Sequence, residues 1–211
     1  MAILVYKDGG REYRSGTGVV TDTDKLKADR LDRELSDGFS GLESKLLADG
    51  YLQKEGKKND ALRVWYLVGQ FLNEVADKYS IIGTSDEQFF WEAIYHYASP
   101  TLQKGRPPVS MNTTRNHFKR CAFMAQYDFG FVKGVGNWSM WRDLLDNSKL
   151  YEDQRVFDWV IENIHNTGLG HKQVRPFIHE VRRAIKNKDT KFITDEELLA
   201  KLKPFARLLP E

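Results

Sequence analysis

From residue 59 to residue 187 the apolar residues recur at three- and four-residue intervals, the spacing that lines one face of an α-helix. With Asn59 as its cap, the first of these helices carries Leu62, Trp65, Val68, Leu72, Val75 and Tyr79. Ser85 and Gln88 have the spacing of a capping box and predict a second helix with Phe89, Phe90, Ile94 and Tyr97, stopped near Pro100. Residues 101–109 read as a loop. A third helix starts near Asn112 or Thr113 and runs to about Tyr127, with Phe118, Cys121, Ala122 and Ala125 as its inner stripe. The three glycines between Asp128 and Gly136 predict a loop or short extended wing. Ser139 is the expected cap of a short helix holding Trp141, Leu144 and Leu145. The next helix has Glu152 and Asp153 in its first turn, Val156, Phe157, Val160, Ile161 and Ile164 on its apolar face, and Gly168 and Gly170 at its end. The following one carries Val174, Phe177, Ile178, Val181 and Ile185, with Pro176 expected in the first turn, where a missing N–H does no harm. Thr194 and Glu197 form another capping box, opening a C-terminal helix that Pro204 limits.

The first 57 residues have a different pattern. Ile3–Tyr6, the turn residues Asp8-Gly9-Gly10 and the stretch onward to Val20 predict a β-hairpin over residues 3–20. Two strands alone are marginal in water, so the hairpin is expected to dock on the body or on a partner. Residues 22–49 hold eight acidic and five basic side chains and predict two short helices, Asp24–Leu35 and Gly41–Asp49, followed by a polar linker at 53–58. The expected fold is mainly α: a helical bundle with a helix-turn-helix-like core and a short N-terminal β-hairpin. Its expected organisation is a docking or assembly extension (1–57), a helical binding domain (59–187) and a C-terminal helix and tail (188–211).

Composition narrows the class little: 41% hydrophobic residues suffice for a core, and a net charge of +2 favours no partner on average. No run is long enough to span a bilayer, no signal-peptide core follows Met1, and Cys121 is the only cysteine. These features predict a reduced, cytoplasmic setting without membrane contact.

No catalytic, metal or cofactor constellation emerges. His96, His117, His165, His171 and His179 lack metal-ligand spacing. Ser139 lies outside any nucleophile-elbow motif, and Asp128-Phe129-Gly130 lacks the other kinase elements. Gly16-Thr17-Gly18 and Gly134-Val135-Gly136 are too short for a dinucleotide loop. Asp49, Glu55 and Lys57 match a nuclease-like carboxylate–lysine pattern only in a polar linker, whereas that chemistry needs carboxylates on adjacent strands. Trp65, Trp91, Trp138, Trp141 and Trp159 read as packing residues. A binding role is therefore expected rather than an enzymatic one.

Two basic segments carry that role. Residues 102–120 contain five Lys/Arg and no acid. On the third helix Asn112, Arg115, Asn116 and Lys119 share one face opposite Phe118 and Cys121, with Arg120 adjacent. Arginine, asparagine and lysine are the side chains that grip phosphates and read base edges. Residues 172–191 carry a net +5, with Arg182, Arg183 and Lys186 as the candidate contacts to DNA or RNA.

The order of motifs resembles the helical, winged-helix-like N-terminal domain of the YhcG family of bacterial PD-(D/E)XK nucleases. Val64-Trp65-Tyr66-Leu67-Val68-Gly69 stands where that family has a WxIG helix. Thr114–Arg120 parallels its RNL helix, Trp138–Leu145 its WSH turn and LL helix, and Arg155–Trp159 a following aromatic element. Val174–Ile185 echoes its last basic helix. The resemblance spans about 125 residues. It implies a DNA-binding or assembly module, carried over onto Arg115, Asn116, Lys119 and Arg120, in a bacterial defence or mobile-element system. The chain departs from the family in having no nuclease domain after the helices and in its 1–57 extension. The expected function is thus a non-catalytic nucleic-acid-binding subunit. The alternative is a protein–protein assembly subunit that uses residues 1–57 to bind a partner or itself.

Overall fold

The computed structural model describes residues 1–7, 10–54, 58–97, 111–146, 150, 153–185 and 194–209, apart from the side chains of 7, 111, 112 and 114. Among these residues the fold is mainly α, with one N-terminal antiparallel hairpin, as the pattern predicts. The elements are β1 (Ile3–Lys7), β2 (Gly10–Arg14), α1 (Asp22–Ala48), α2 (Ala61–Lys78), α3 (Glu87–Tyr97), α4 (Met111–Met124), α5 (Phe129–Val135), α6 (Trp138–Leu145), α7 (Gln154–Thr167), α8 (His171–Ile185) and α9 (Asp195–Ala206). The chain divides into two compact units, Met1–Gln126 and Tyr127–Glu211. That division falls inside the 59–187 span grouped as one block from the sequence.

In the first unit, β1 and β2 pair in the register Ile3↔Arg14 to Lys7↔Gly10. Ile3, Leu4 and Val5 are all buried, because β1 packs against both α1 and α3. The hairpin is fastened by phenols as well as by burial. Tyr6 donates to Asp32 at 2.9 Å, Tyr13 donates to Asp29 at 2.7 Å, and Tyr97 from α3 also reaches Asp32. His96 stacks on Tyr6 with ring centroids 3.6 Å apart, so this histidine serves packing. Residues 1–54 therefore contribute to the core of this unit: Leu4, Ala28, Leu31, Leu35, Phe39 and Leu46 are buried, and α1 packs against α2 and α3.

One helix, α1, replaces the two short ones expected. Thr21 caps it with Asp24 in a reciprocal capping box. Glycine at 38 costs helix propensity, but the stripe Leu31, Leu35, Phe39 and Leu46 carries the helix through it. The glycine leaves room for the half-buried Phe71 ring of α2, whose edge lies 2.3 Å from where a Cβ would stand. Asp60, rather than Asn59, caps α2. Its C-terminus closes with Ser80 at φ 51°, the Ser80 amide bonding Asp77 O and the Ile81 amide bonding Ala76 O. This is the left-handed position that usually takes glycine. Ser80→Gly is expected to raise stability by about 0.5–1 kcal/mol, seen as a higher urea midpoint with unchanged slope.

The expected Ser85 cap does not form. Helix α3 starts at Glu87, one residue later than a Ser85 cap requires. The Ser85 side chain lies where a Cβ on Gly16 would be (2.2 Å), and Asp86 accepts the Gly16 amide at 2.8 Å. The turn before α3 thus holds the strand exit instead of its own helix.

The second unit also departs from expectation at its start. Residues 129–135 are helical, not a wing: Asp128 caps α5 by accepting from Gly130 and Phe131, and Val132 and Val135 are buried one turn apart. That cap gives Asp128 a structural task. Asn137, not Ser139, caps α6, and Ser139 is exposed within the helix. Asp153 caps α7, Gly168 ends it at φ 62°, and Thr194 with Glu197 boxes the start of α9 as expected. Pro176 sits at the sixth residue of α8, past the first turn, and α9 continues two residues beyond Pro204. Trp141 is fully buried at the centre of the unit, donating its indole N–H to Val132 O at 2.9 Å. Residues Glu55, Lys57, 101–109, Glu152 and Lys186 lie outside the described part.

Candidate nucleic-acid interface

The two basic helices belong to different units: α4 to the first, α8 to the second. Helix α4 is held by close backbone contact with α2. Gly69 lies against Cys121, and Asn73 donates to Ala122 O at 2.8 Å. Phe118, Cys121, Ala122 and Met124 are buried along this seam, while Ala125 is half-buried. Burial pushes the Cys121 thiol far above its ordinary range, so it stays neutral.

The outer side of α4 is only partly available. Asn116 is exposed and Arg115 half-buried. Lys119 turns toward α3, 3.4 Å from Glu87 and 5.6 Å from the Trp91 ring centroid. Burial raises the Glu87 carboxyl, but the Gly83 amide, the Trp91 indole N–H and Lys119 outweigh it and hold the carboxyl below its ordinary value. Arg120 is half-buried and engaged within the chain. The Asn112 side chain lies outside the described residues. Among the described side chains of the predicted α4 face, Asn116 is exposed, Arg115 is half-buried, and Lys119, still 42% accessible, bridges α3 and α4.

Helix α8 presents a longer row. Its buried stripe is Val174, Phe177, Ile178, Val181 and Ile185. Opposite it, Lys172, Arg175, His179 and Arg183 fall within about 80° of one another at 100° per residue, and all four are exposed. Arg175, His179 and Arg183 side chains are each 73–74% accessible. Arg183 pairs with Glu180 at 2.8 Å, an exposed i,i+3 contact of small energetic weight. A shallow concavity of about 470 Å³ runs along Lys172, Arg175, Pro176, His179 and Glu180. Arg182 lies on the flank, half-buried and engaged within the chain.

The start of α8 is anchored. His171 meets Asp143 of α6 at 2.7 Å, and Arg175 Nε is 3.7 Å from the same carboxylate. Gln173 accepts the Gly170 amide at 3.0 Å, closing the three-residue turn Gly168-Leu169-Gly170 between α7 and α8. The net charge over 172–191 marks this segment as basic without singling out Lys172, Arg175 or His179. Their spacing against the 174/177/178/181/185 stripe was the signal that could have selected them.

Among the described residues no group of three or more His, Cys, Asp or Glu could hold a metal ion, and no helix is long and apolar enough to cross a membrane. The fold and these surfaces define a mainly α protein of two helical units with basic helix faces. Compared with family models, curated proteins and solved structures, the chain matches none.

Proposed function

We propose that the protein is a non-catalytic nucleic-acid-binding module whose principal contact is the exposed face of α8, serving as a subunit of a bacterial defence or mobile-element complex in the cytoplasm. The observation that carries this reading is the row Lys172, Arg175, His179 and Arg183, opposite the buried stripe, on a helix that follows α7 after a three-residue glycine turn. A second helix placed by a short turn is the element that helix-turn-helix proteins lay against DNA. Cations on a solvent face neutralise phosphates and release counterions. The resemblance of Trp138–Leu145 and Val174–Ile185 to the YhcG-type domain supports the same role. Arg115 and Asn116 of α4 are retained as a second, separate contact.

Arg175→Glu with Arg183→Glu tests the reading. Duplex DNA affinity at about 100 mM salt is expected to fall roughly 100-fold, with a shallower dependence of log K on log salt. Both residues are exposed, so thermal stability should stay the same. Equal affinity of wild type and double variant across the salt series removes α8 from consideration.

A further inference from the structure

A further charged surface lies in the first unit and includes no residue of α4. A groove of about 800 Å³ runs between α1 and the end of α2, bordered by Lys27, Arg30, Arg33, Glu34, Lys78 and Tyr79, with Asp37 at its edge. On α1, Lys27, Arg30 and Arg33 follow at three-residue steps, spreading over about 120° of the helix with Arg30 central. That face points away from the buried Ala28, Leu31, Leu35 and Phe39. Its acids and bases are unequally occupied. Glu34 is taken up by the Lys78 ammonium at 2.8 and 2.7 Å and by the Tyr79 hydroxyl at 3.0 Å, which fixes the two walls together. Lys27 and Arg30, in contrast, have no ion-pair partner within 4 Å among the described residues, and Arg33 only donates Nε to Asp29 O at 3.3 Å. Two carbonyls at the C-terminal end of α2, Asp77 O and Ala76 O, are bonded by the Ser80 and Ile81 amides.

We infer that this groove binds a phosphate-bearing ligand of nucleotide size, with Arg30 central and Lys27 and Arg33 flanking it. Guanidinium groups suit phosphate oxygens through paired N–H donors. The volume is within the range of small-ligand sites, and the Tyr79 side chain supplies an aromatic edge to the wall. The site shares no residue with α8 and does not rest on the nucleic-acid reading.

Inorganic triphosphate, ATP and a short single-stranded oligonucleotide are the probes, titrated calorimetrically into the full chain. Arg30→Ala with Arg33→Ala is the test variant, and Arg175→Glu with Arg183→Glu is the control. Saturable binding of triphosphate or ATP that weakens roughly tenfold or more in the test variant, and is unchanged in the control, is the expected result. The ratio of ATP to triphosphate affinity shows whether a nucleoside adds to the contact. Absence of triphosphate and ATP binding, or equal binding in the test variant, overturns the proposal. Oligonucleotide binding alone, sensitive to Arg30 and Arg33, also overturns it, since the groove would then be a nucleic-acid track. Both arginines are exposed, and an unchanged circular-dichroism melt verifies that the variant is folded. Loss of duplex binding in the α8 variant is a separate readout, so the two readings fail independently.

Discussion

Gly69→Ala is expected to destabilise the first unit by about 2–3 kcal/mol, and Gly69→Val by more. A Cβ on Gly69 would stand 2.0 Å from Cys121 O and 2.4 Å from Cys121 C, both backbone atoms of α4. A flexible side chain could swing aside, but a helix backbone moves only with everything packed on it. Phe118 and Cys121 are fully buried at this seam, and Asn73 is hydrogen-bonded across it to Ala122 O. The cost therefore falls on the whole α2–α4 contact. Hydrogen exchange checks it: amides of α2 and α4 should lose protection in Gly69→Ala while those of α7 and α8 keep theirs. Wild-type protection in α4 would show that the seam can open without penalty.

Trp141→Ala is expected to cost the second unit about 3–5 kcal/mol, the range for emptying a fully buried aromatic site. The ring lies within 6.1–6.2 Å, centroid to centroid, of Tyr127 and Phe157, and its N–H is bonded to the α5 carbonyl of Val132. Trp141→Phe separates the two contributions. It retains much of the apolar volume and loses the buried hydrogen bond, so it should be milder by at least half. Urea unfolding followed by near-ultraviolet circular dichroism measures both. Equal midpoints for Trp141→Phe and Trp141→Ala would mean that the indole N–H, not the ring volume, holds α5 to α6.

The parts of this fold that were legible in the sequence are those where one physical signal acted alone. The long apolar periods of α2, α4, α7 and α8 identified both the helices and their buried faces. The Thr194–Glu197 box placed the start of α9. Where two signals competed, the local one misled. Gly38 and Gly41 suggested a break in α1, yet Gly38 is where the Phe71 ring packs against that helix. The glycines of 128–136 suggested a wing, yet a capping aspartate and two buried valines were enough for a helix. Ser85 had the right spacing for a cap, but Gly16, far away in sequence, occupies that turn. The candidate site shows the same limit. Helical periodicity put Lys119 on the outer face of α4, but its long side chain reaches sideways to Glu87 and Trp91 on another helix. On α1, an acidic balance over 22–49 concealed the alignment of Lys27, Arg30 and Arg33, because net charge counts Glu34 while geometry shows it neutralised by Lys78.

The clasp of Tyr6, Tyr13 and Tyr97 on Asp29 and Asp32 has a consequence for the order of events during synthesis. Strand β1 is buried between α1 and α3, so its residues cannot reach their native surroundings until the chain has grown past residue 97. The α2–α4 seam must wait longer still. Closing such distant contacts slows a folding step, because chain entropy is lost before the contacts form. Until α3 arrives, the run Ile3–Val5 is an apolar strand with an open edge, the kind of segment that pairs with other chains. The nascent first unit is thus most exposed to misassembly before α3 is made, and the three phenols act as the latch that ends that interval.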